Sequence, residues 1–145
     1  MFKFNLEVVL NHRRYEEEIC QKVFAEAKKK LAVEQARLHR KKKEIRRCMR
    51  DLQRKQKESK TVSDILLYVN YLKQLSKEIK SQMEKVLAAE KKMIRKRKDL
   101  ISAMKKRKTL EKLKEKRWIA YQQKTLKQEQ KFIDEVAVNQ FNRHG

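Results

Sequence analysis

The sequence predicts an all-α protein made of two long helices that pair as an antiparallel coiled-coil hairpin. Of its 145 residues none is proline, and its single glycine is the last residue, so nothing before Gly145 obliges a helix to end. Charged residues make up 41% of the chain and aromatic residues 7%. This composition leaves too little apolar surface for a compact globule but enough for a narrow core between two helices. We therefore expect residues 1–145 to form one coiled-coil domain.

The first helix is predicted from apolar residues that recur every seven positions, a spacing typical of coiled coils. A second set of positions is interleaved with the first at the alternating spacing of three and four, and it holds smaller or polar residues. The pattern predicts a helix over about residues 2–58. The main set is Leu10, Phe24, Leu31, Leu38, Ile45 and Leu52, interrupted only by Glu17, and the second set includes Cys20, Ala27, Glu34 and Cys48.

A second heptad series follows a short break and predicts a helix over about residues 65–142. Residues 59–64 lack the pattern and are expected to form the turn, and either Thr61, with Asp64 three residues beyond it, or Ser63 is expected to cap the second helix. The main core positions of this helix are Ile65, Leu72, Ile79, Val86, Met93 and Leu100, and the interleaved ones include Tyr68, Leu75, Gln82, Ala89, Ala103 and Leu110.

Folding the helices back about Val62 gives a register in which large apolar residues face each other. The same register places Glu17 opposite Arg107, and this pair would penalise a slipped alignment more than it would add stability. The interleaved positions meet as small or polar layers, with Glu34 beside Ala89. We expect this half of the core to be loosely packed and partly hydrated.

The register leaves the end of the second helix without a partner. This C-terminal overhang, residues 123–142, is about 30 Å long and carries an apolar stripe of Leu126, Ile133 and Val136. A lone helix gains nothing by exposing such a stripe to water, so the overhang is predicted to bind another protein. Just before it, Phe2 and Phe4 are expected to meet Trp118 and Tyr121.

Enzymatic and metal chemistry find no support in the sequence, and neither an enzyme nor a cofactor is predicted. The three histidines are scattered, the two cysteines have no ligand partner at a suitable spacing, and no internal glycine is available for a phosphate-binding loop. No apolar run approaches the length of a membrane span. The two cysteines and the absence of a secretory signal favour a reducing compartment.

The high positive charge leaves two classes of binding protein open. With 41 Lys and Arg against 19 Asp and Glu, the formal net charge is +22, which attracts acidic proteins and nucleic acids alike. The basic runs are spread along both helices instead of preceding a dimer zipper, which argues against sequence-specific DNA binding. Protein binding is therefore favoured, with a basic nucleic-acid-binding coiled coil as the alternative. A hairpin satisfies its own core, so a monomer is expected.

Four segments give the chain a resemblance to the FliJ family, small components of the bacterial flagellar type III export apparatus. They are the opening Phe4-x-Leu6-x-x-Val9-Leu10-x-x-Arg13, the Tyr71-Leu72-x-x-Leu75 stretch, the run from Arg107 to Glu115 and the closing Asp134-Glu135-x-Ala137. The first two segments also occur in other proteins with heptad repeats, whereas the last two are more specific to the FliJ family. The equivalent stalk proteins of virulence secretion systems are similar enough to remain an alternative.

The resemblance implies a coiled coil similar to the gamma-subunit stalk of rotary ATPases, with partners in the export machinery. It implies that the end bearing both termini binds the hexameric export ATPase and that another surface meets the membrane export gate, with export chaperones as further partners. The expected location is the cytoplasm, peripherally at the inner membrane. For the gate or chaperone surface the resemblance points to Tyr71 and Leu75, but the register buries Leu75. Leu67, an apolar residue near the turn that lies outside the predicted core, is assigned to this surface together with Tyr71. The ATPase-binding residues expected from the resemblance and from the overhang are Phe4, Leu6, Leu10, Arg13, Arg107, Leu110, Leu113, Leu126, Phe132, Ile133, Asp134, Glu135 and Val136.

Overall fold

The computed structural model describes residues 1–58 and 61–144, and these residues form two long helices. Helix α1 spans Glu7–Lys57 and helix α2 spans Val62–His144. The predicted all-α class is confirmed. The bounds differ from the prediction at three ends: α1 begins at Glu7 instead of near residue 2, and α2 runs from Val62 to His144 instead of from about 65 to 142.

The start of α2 uses Thr61, one of the two capping residues that the sequence offered. The backbone N–H of Asp64 donates a hydrogen bond to the Thr61 hydroxyl at 3.3 Å, and the N–H of Ile65 donates to the Thr61 carbonyl at 3.2 Å. Thr61 is therefore the N-cap residue, and Asp64 places a negative charge in the first turn, where the helix dipole favours it. Ser59 and Lys60, the first residues of the predicted turn, lie outside the described residues.

The chain divides into two compact units, each containing part of both helices. The terminal unit comprises Met1–Glu18 and Ile101–Gly145, and the central unit comprises Ile19–Leu100. In both units the segments of α1 and α2 run antiparallel. In the terminal unit Glu7 pairs with Lys114 and Glu17 pairs with Arg107; in the central unit Glu34 bonds to Gln82 and Glu44 bonds to Tyr71. The expectation of a single domain stays a prediction.

The core of the central unit corrects one part of the expectation of a loose, hydrated half: its interleaved side chains are buried, but a cavity beside Ala27, Glu34 and Ala89 leaves the packing loose there. Its most buried side chains belong to the interleaved set, which is small or polar except for Leu75, and the large residues of the main set are only half-buried. The interleaved positions therefore face the partner helix more directly than the main set does. The buried side chains of this unit are Ala27, Glu34, Cys48, Leu75, Gln82 and Ala89.

A polar contact in the central unit also refines the predicted register. The side-chain amide of Gln82 donates to the backbone carbonyl of Glu34 at 3.0 Å and also to the Glu34 carboxylate. Glu34 and Ala89 line the same cavity, so Glu34 lies between Gln82 and Ala89, not beside Ala89 alone. The hydrogen bond from Gln82 lowers the pKa of the Glu34 carboxyl and outweighs the opposite effect of burial, with Arg37 and Lys85 adding to the lowering.

Within the described residues, no helix combines the length and the apolar character required to cross a bilayer.

Candidate protein-binding site

An aromatic cluster closes the paired part of the terminal unit. The Phe2 ring lies edge-on to Trp118 at 5.2 Å between centroids and 5.5 Å from Tyr121, while Trp118 and Tyr121 stack at 5.9 Å. Phe4 is buried, and the Arg117 guanidinium lies 5.5 Å from its ring centroid. The predicted meeting of Phe2 with Trp118 and Tyr121 is confirmed, whereas the partner identified for Phe4 is Arg117.

The same cluster explains why α1 begins later than predicted. Phe2 and Phe4 precede the helix and reach α2 from residues that are not helical, and the Phe4 carbonyl accepts the Glu7 N–H at 3.1 Å. The Arg117 guanidinium also donates to the Asn5 side chain. These contacts fix the N-terminal residues across α2 before the helix starts at Glu7.

Arg107 is the centre of an ion-pair network in the terminal unit. Its guanidinium donates to the Glu17 carboxylate, as the sequence register predicted, and to Glu111 at 2.8 Å. The hydrogen bond to Glu17 raises the pKa of Arg107. Arg14 also reaches Glu111 at 3.5 Å, and Lys114 pairs with Glu7 at 2.8 Å. These pairs fix the alignment of α1 with α2 in this unit.

The predicted ATPase-binding residues on the paired helices divide by exposure. Phe4 is 8% exposed and Leu10 is fully buried, so both side chains hold the two helices together. The half-buried residues of this group are Leu6, Arg13, Arg107, Leu110 and Leu113. The resemblance thus brought together residues of one unit, but it did not separate surface positions from core positions.

The C-terminal overhang has the exposure that the sequence predicted. Leu126 is 63% exposed, Ile133 is 58% and Val136 is 39%, and these three side chains share one face of α2. Asp134 and Glu135 are exposed beside them, and Asp134 accepts a hydrogen bond from Gln130 at 3.1 Å. The other large apolar side chains exposed on the overhang are Phe132, Val138 and Phe141.

The candidate gate or chaperone residues lie near the start of α2 in the central unit. Leu67 is 68% exposed and Tyr71 is 46% exposed, whereas Leu75 is buried, as the register predicted. The Tyr71 hydroxyl donates a hydrogen bond to Glu44 of α1, and this bond raises the pKa of the Tyr71 phenol. The contact fixes the direction of the ring, and one side of it stays open to solvent.

Cysteine, histidine and carboxylate side chains are not gathered into a ligand set. Among residues 1–58 and 61–144, no three of them come close enough to hold a metal ion. Cys20 and Cys48 are free thiols, and burial raises the pKa of the Cys48 thiol.

Two long antiparallel helices, the second with an exposed apolar extension, define an all-α coiled-coil protein. The chain belongs to the family of the flagellar FliJ protein, whose model matches residues 2–145. Membership places it among the components of flagellar protein export, a type III secretion process. No curated protein sequence matches the chain.

A solved structure has the same fold. It is described as a homologue of YscO, CT670 from Chlamydia trachomatis, and it superposes with a TM-score of 0.66 over 99% of this chain and 98% of that chain. The two sequences are 24% identical, so the likeness concerns the fold alone.

Proposed function

We propose that the chain is a stalk of the flagellar export apparatus that docks on the hexameric export ATPase and couples it to the membrane export gate. The terminal unit carries the docking surface, and the central unit carries the gate surface, with export chaperones as further partners. The protein catalyses no reaction itself and works in the cytoplasm, at the inner face of the inner membrane. Family membership supports this setting, and the flagellar description of the family favours it over a virulence secretion system.

The exposed apolar stripe of the overhang is the observation that carries the docking proposal. Burying one large aliphatic side chain stabilises a complex by roughly 1.5–3 kcal/mol before the cost of association is subtracted. Leu126, Ile133 and Val136 all have surface left to bury. A groove on the ATPase that accepts this face would follow the common pattern in which an amphipathic helix binds through residues three, four and seven apart.

Charged residues around the apolar stripe determine how the overhang is oriented on its partner. Lys124, Lys127 and Lys131 alternate along the overhang with Glu129 and the acidic pair Asp134 and Glu135. Complementary charges on a partner speed the encounter and reject misaligned complexes more than they add affinity. In this proposal Phe4 and Leu10 support the site from within the paired helices, and the overhang makes the contact.

The docking proposal is tested by changing one side of the overhang at a time. Ile133→Gln removes an apolar side chain from the stripe, and Val138→Gln removes one of equal exposure, 56% against 58%, from the other side of the helix. The two positions are about 140° apart around α2. We expect Ile133→Gln to weaken pull-down of the export ATPase and its stimulation of hydrolysis, and Val138→Gln to leave both near wild type.

A truncation after Gln122 removes the whole overhang and is therefore a stronger test than the single substitutions. The truncated chain should lose only the helical signal of the residues that are removed, because the paired helices keep their contacts. Its binding to the ATPase should be lost. Full binding by the truncated chain would refute the docking role of the overhang. A parallel salt titration with duplex DNA separates this function from a nucleic-acid-binding one, since DNA affinity depends steeply on salt concentration.

The gate surface is tested by Leu67→Ser, with Val62→Ser as its control. Both side chains are strongly exposed near the start of α2, at 68% and 81%, so neither change disturbs the core. We expect Leu67→Ser to weaken binding to the soluble part of the export gate and to leave ATPase binding unchanged. Equal effects of the two changes would remove Leu67 from the gate surface.

A further inference from the structure

A cavity of about 490 Å³ opens between α1 and α2 within the central unit. Its floor contains small side chains: Ala27 and Ala89 are buried, and Ala88 lies beside them with its methyl group exposed. Its rim consists of four exposed cations, Lys30, Lys85, Lys92 and Arg95. The cavity is therefore apolar at its base and strongly positive at its edge.

The heptad pattern explains why the cavity forms at this level. Ala27 and Ala89 stand at core positions that larger residues fill elsewhere, so a layer of methyl groups leaves space between the helices. Lys85 and Lys92 occupy the position directly beside the core, seven residues apart on α2, and their side chains border this space. Their attachment points are about 10 Å apart along the helix axis.

The rim cations are available to a partner, whereas the one acid in the cavity is already engaged. The ion pairs formed among residues 1–58 and 61–144 include none of the four rim cations. Glu34, in contrast, is buried, accepts from Gln82 and pairs with Arg37 at 3.1 Å. The cavity thus retains an excess of positive charge that its own residues do not neutralise.

We propose that this cavity is a docking site for an acidic amphipathic helix of a partner protein, which seats an apolar side chain on the alanine floor between carboxylates that pair with the rim. Carboxylates two helical turns apart on such a helix match the spacing of Lys85 and Lys92. The site lies in the central unit and uses none of the residues assigned above to the ATPase or the gate. It stands or falls independently of those assignments.

The floor of the cavity favours a protein helix over a nucleic acid. Phosphate groups gain nothing from the methyl groups of Ala27, Ala88 and Ala89, whereas a leucine or methionine side chain would bury them. The ionised Glu34 carboxylate at the same level repels a phosphate backbone. An acidic helix avoids this repulsion by placing its apolar residue there and its carboxylates at the rim.

The first test reverses the charge of the rim with a matched control. The probe is a fluorescein-labelled helical peptide with glutamates seven residues apart and a leucine between them, titrated by fluorescence anisotropy at physiological ionic strength. We expect the double variant Lys85→Glu, Lys92→Glu to lose about tenfold or more in affinity. The control, Lys91→Glu with Lys98→Glu, makes the same charge change at the same spacing on the outward face of α2. Equal losses, or no saturable binding by the wild type, would overturn the proposal.

The second test fills the cavity without changing charge. Ala88→Phe projects a ring into the space that the probe's leucine would occupy, and Ala36→Phe adds the same ring at an exposed position of α1 outside the cavity. We expect several-fold weaker peptide binding for Ala88→Phe alone, with circular dichroism melting to show that both variants fold. Unchanged binding by Ala88→Phe would show that the cavity is not the site. Duplex DNA that competes with the peptide and is equally sensitive to Ala88→Phe would replace the proposed partner with a nucleic acid.

Discussion

Leu10 offers the sharpest test of how the terminal unit is held together. Its side chain is fully buried between α1 and α2. Leu10→Ala deletes buried apolar groups and leaves a cavity, which costs about 2–5 kcal/mol in well-packed cores. With an unfolding slope of about 2 kcal/mol per molar urea, a loss near 3 kcal/mol moves the midpoint down by about 1.5 M. If the unit is less stable than this, the variant loses its folded baseline altogether.

The assay can follow the terminal unit separately because the chain has a single tryptophan. Trp118 lies in the aromatic cluster, so its fluorescence reports the terminal unit, while circular dichroism at 222 nm reports helix throughout. Val8→Ala is the control, since Val8 is 81% exposed on the same helix and should change stability by no more than about 0.5 kcal/mol. A Leu10→Ala midpoint indistinguishable from that of Val8→Ala would refute the assignment of Leu10 as the main buried contact.

Three further predictions concern ionisable groups. Glu17→Lys should lower the stability of the terminal unit, and adding Arg107→Glu to it should restore part of that stability, because the ion pair is formed again with reversed charges. A double-mutant cycle that shows no coupling between the two positions would contradict the observed pair. The pKa of the Glu34 carboxyl is lower in the folded chain than in the unfolded chain, so the ionised carboxylate stabilises the folded state above the unfolded value. This stabilisation is lost as the pH falls below about 4.5. Glu34→Gln should therefore reduce the difference between the urea midpoints measured at neutral and at acidic pH. A thiolate-directed reagent at about pH 8 should label Cys20 faster than Cys48, whose pKa is raised by burial, and equal rates would argue that Cys48 is accessible.

The helices were predictable because the sequence carries few competing signals. Heptad spacing identified the core faces, and the sequence offered Thr61 and Ser63 as caps of the second helix, of which the structure uses Thr61. The Glu17–Arg107 pair was also predictable, since opposite charges at core positions fix a local alignment. The predicted start of α1 near residue 2 was wrong because the contacts of Phe2 and Phe4 with α2 override the helix propensity of the first residues.

The details of the central core were not predictable from periodicity. A shift of seven residues keeps the same face of a helix toward its partner, so the heptad pattern could not show that Glu34 lies between Ala89 and Gln82. The burial of the interleaved positions was misjudged because heptad spacing identifies facing positions but not how deeply each of the two sets is buried. Lys85 and Lys92 were missed since their only signal is a position beside an alanine layer, in a chain with 41 basic residues.

The candidate binding residues were predictable where exposure follows directly from the register. Leu126, Ile133 and Val136 were placed on an unpaired helix by counting residues, and their exposure agrees with that placement. Phe4 and Leu10 were chosen by resemblance, which identifies corresponding positions and says nothing about solvent access. Their burial therefore had to come from the structure.

The continuity of α2 has a consequence for how the overhang responds to temperature. An isolated helix of about 20 residues is marginal in water because its first turn is costly to nucleate, yet residues 123–142 extend a helix that is already formed, so only propagation is required. Fraying should therefore start at His144 and advance toward the aromatic cluster as the temperature rises, appearing as a sloping loss of ellipticity before the main transition. A partner that covers the overhang would suppress this slope, so the early melting curve itself becomes a measure of occupancy.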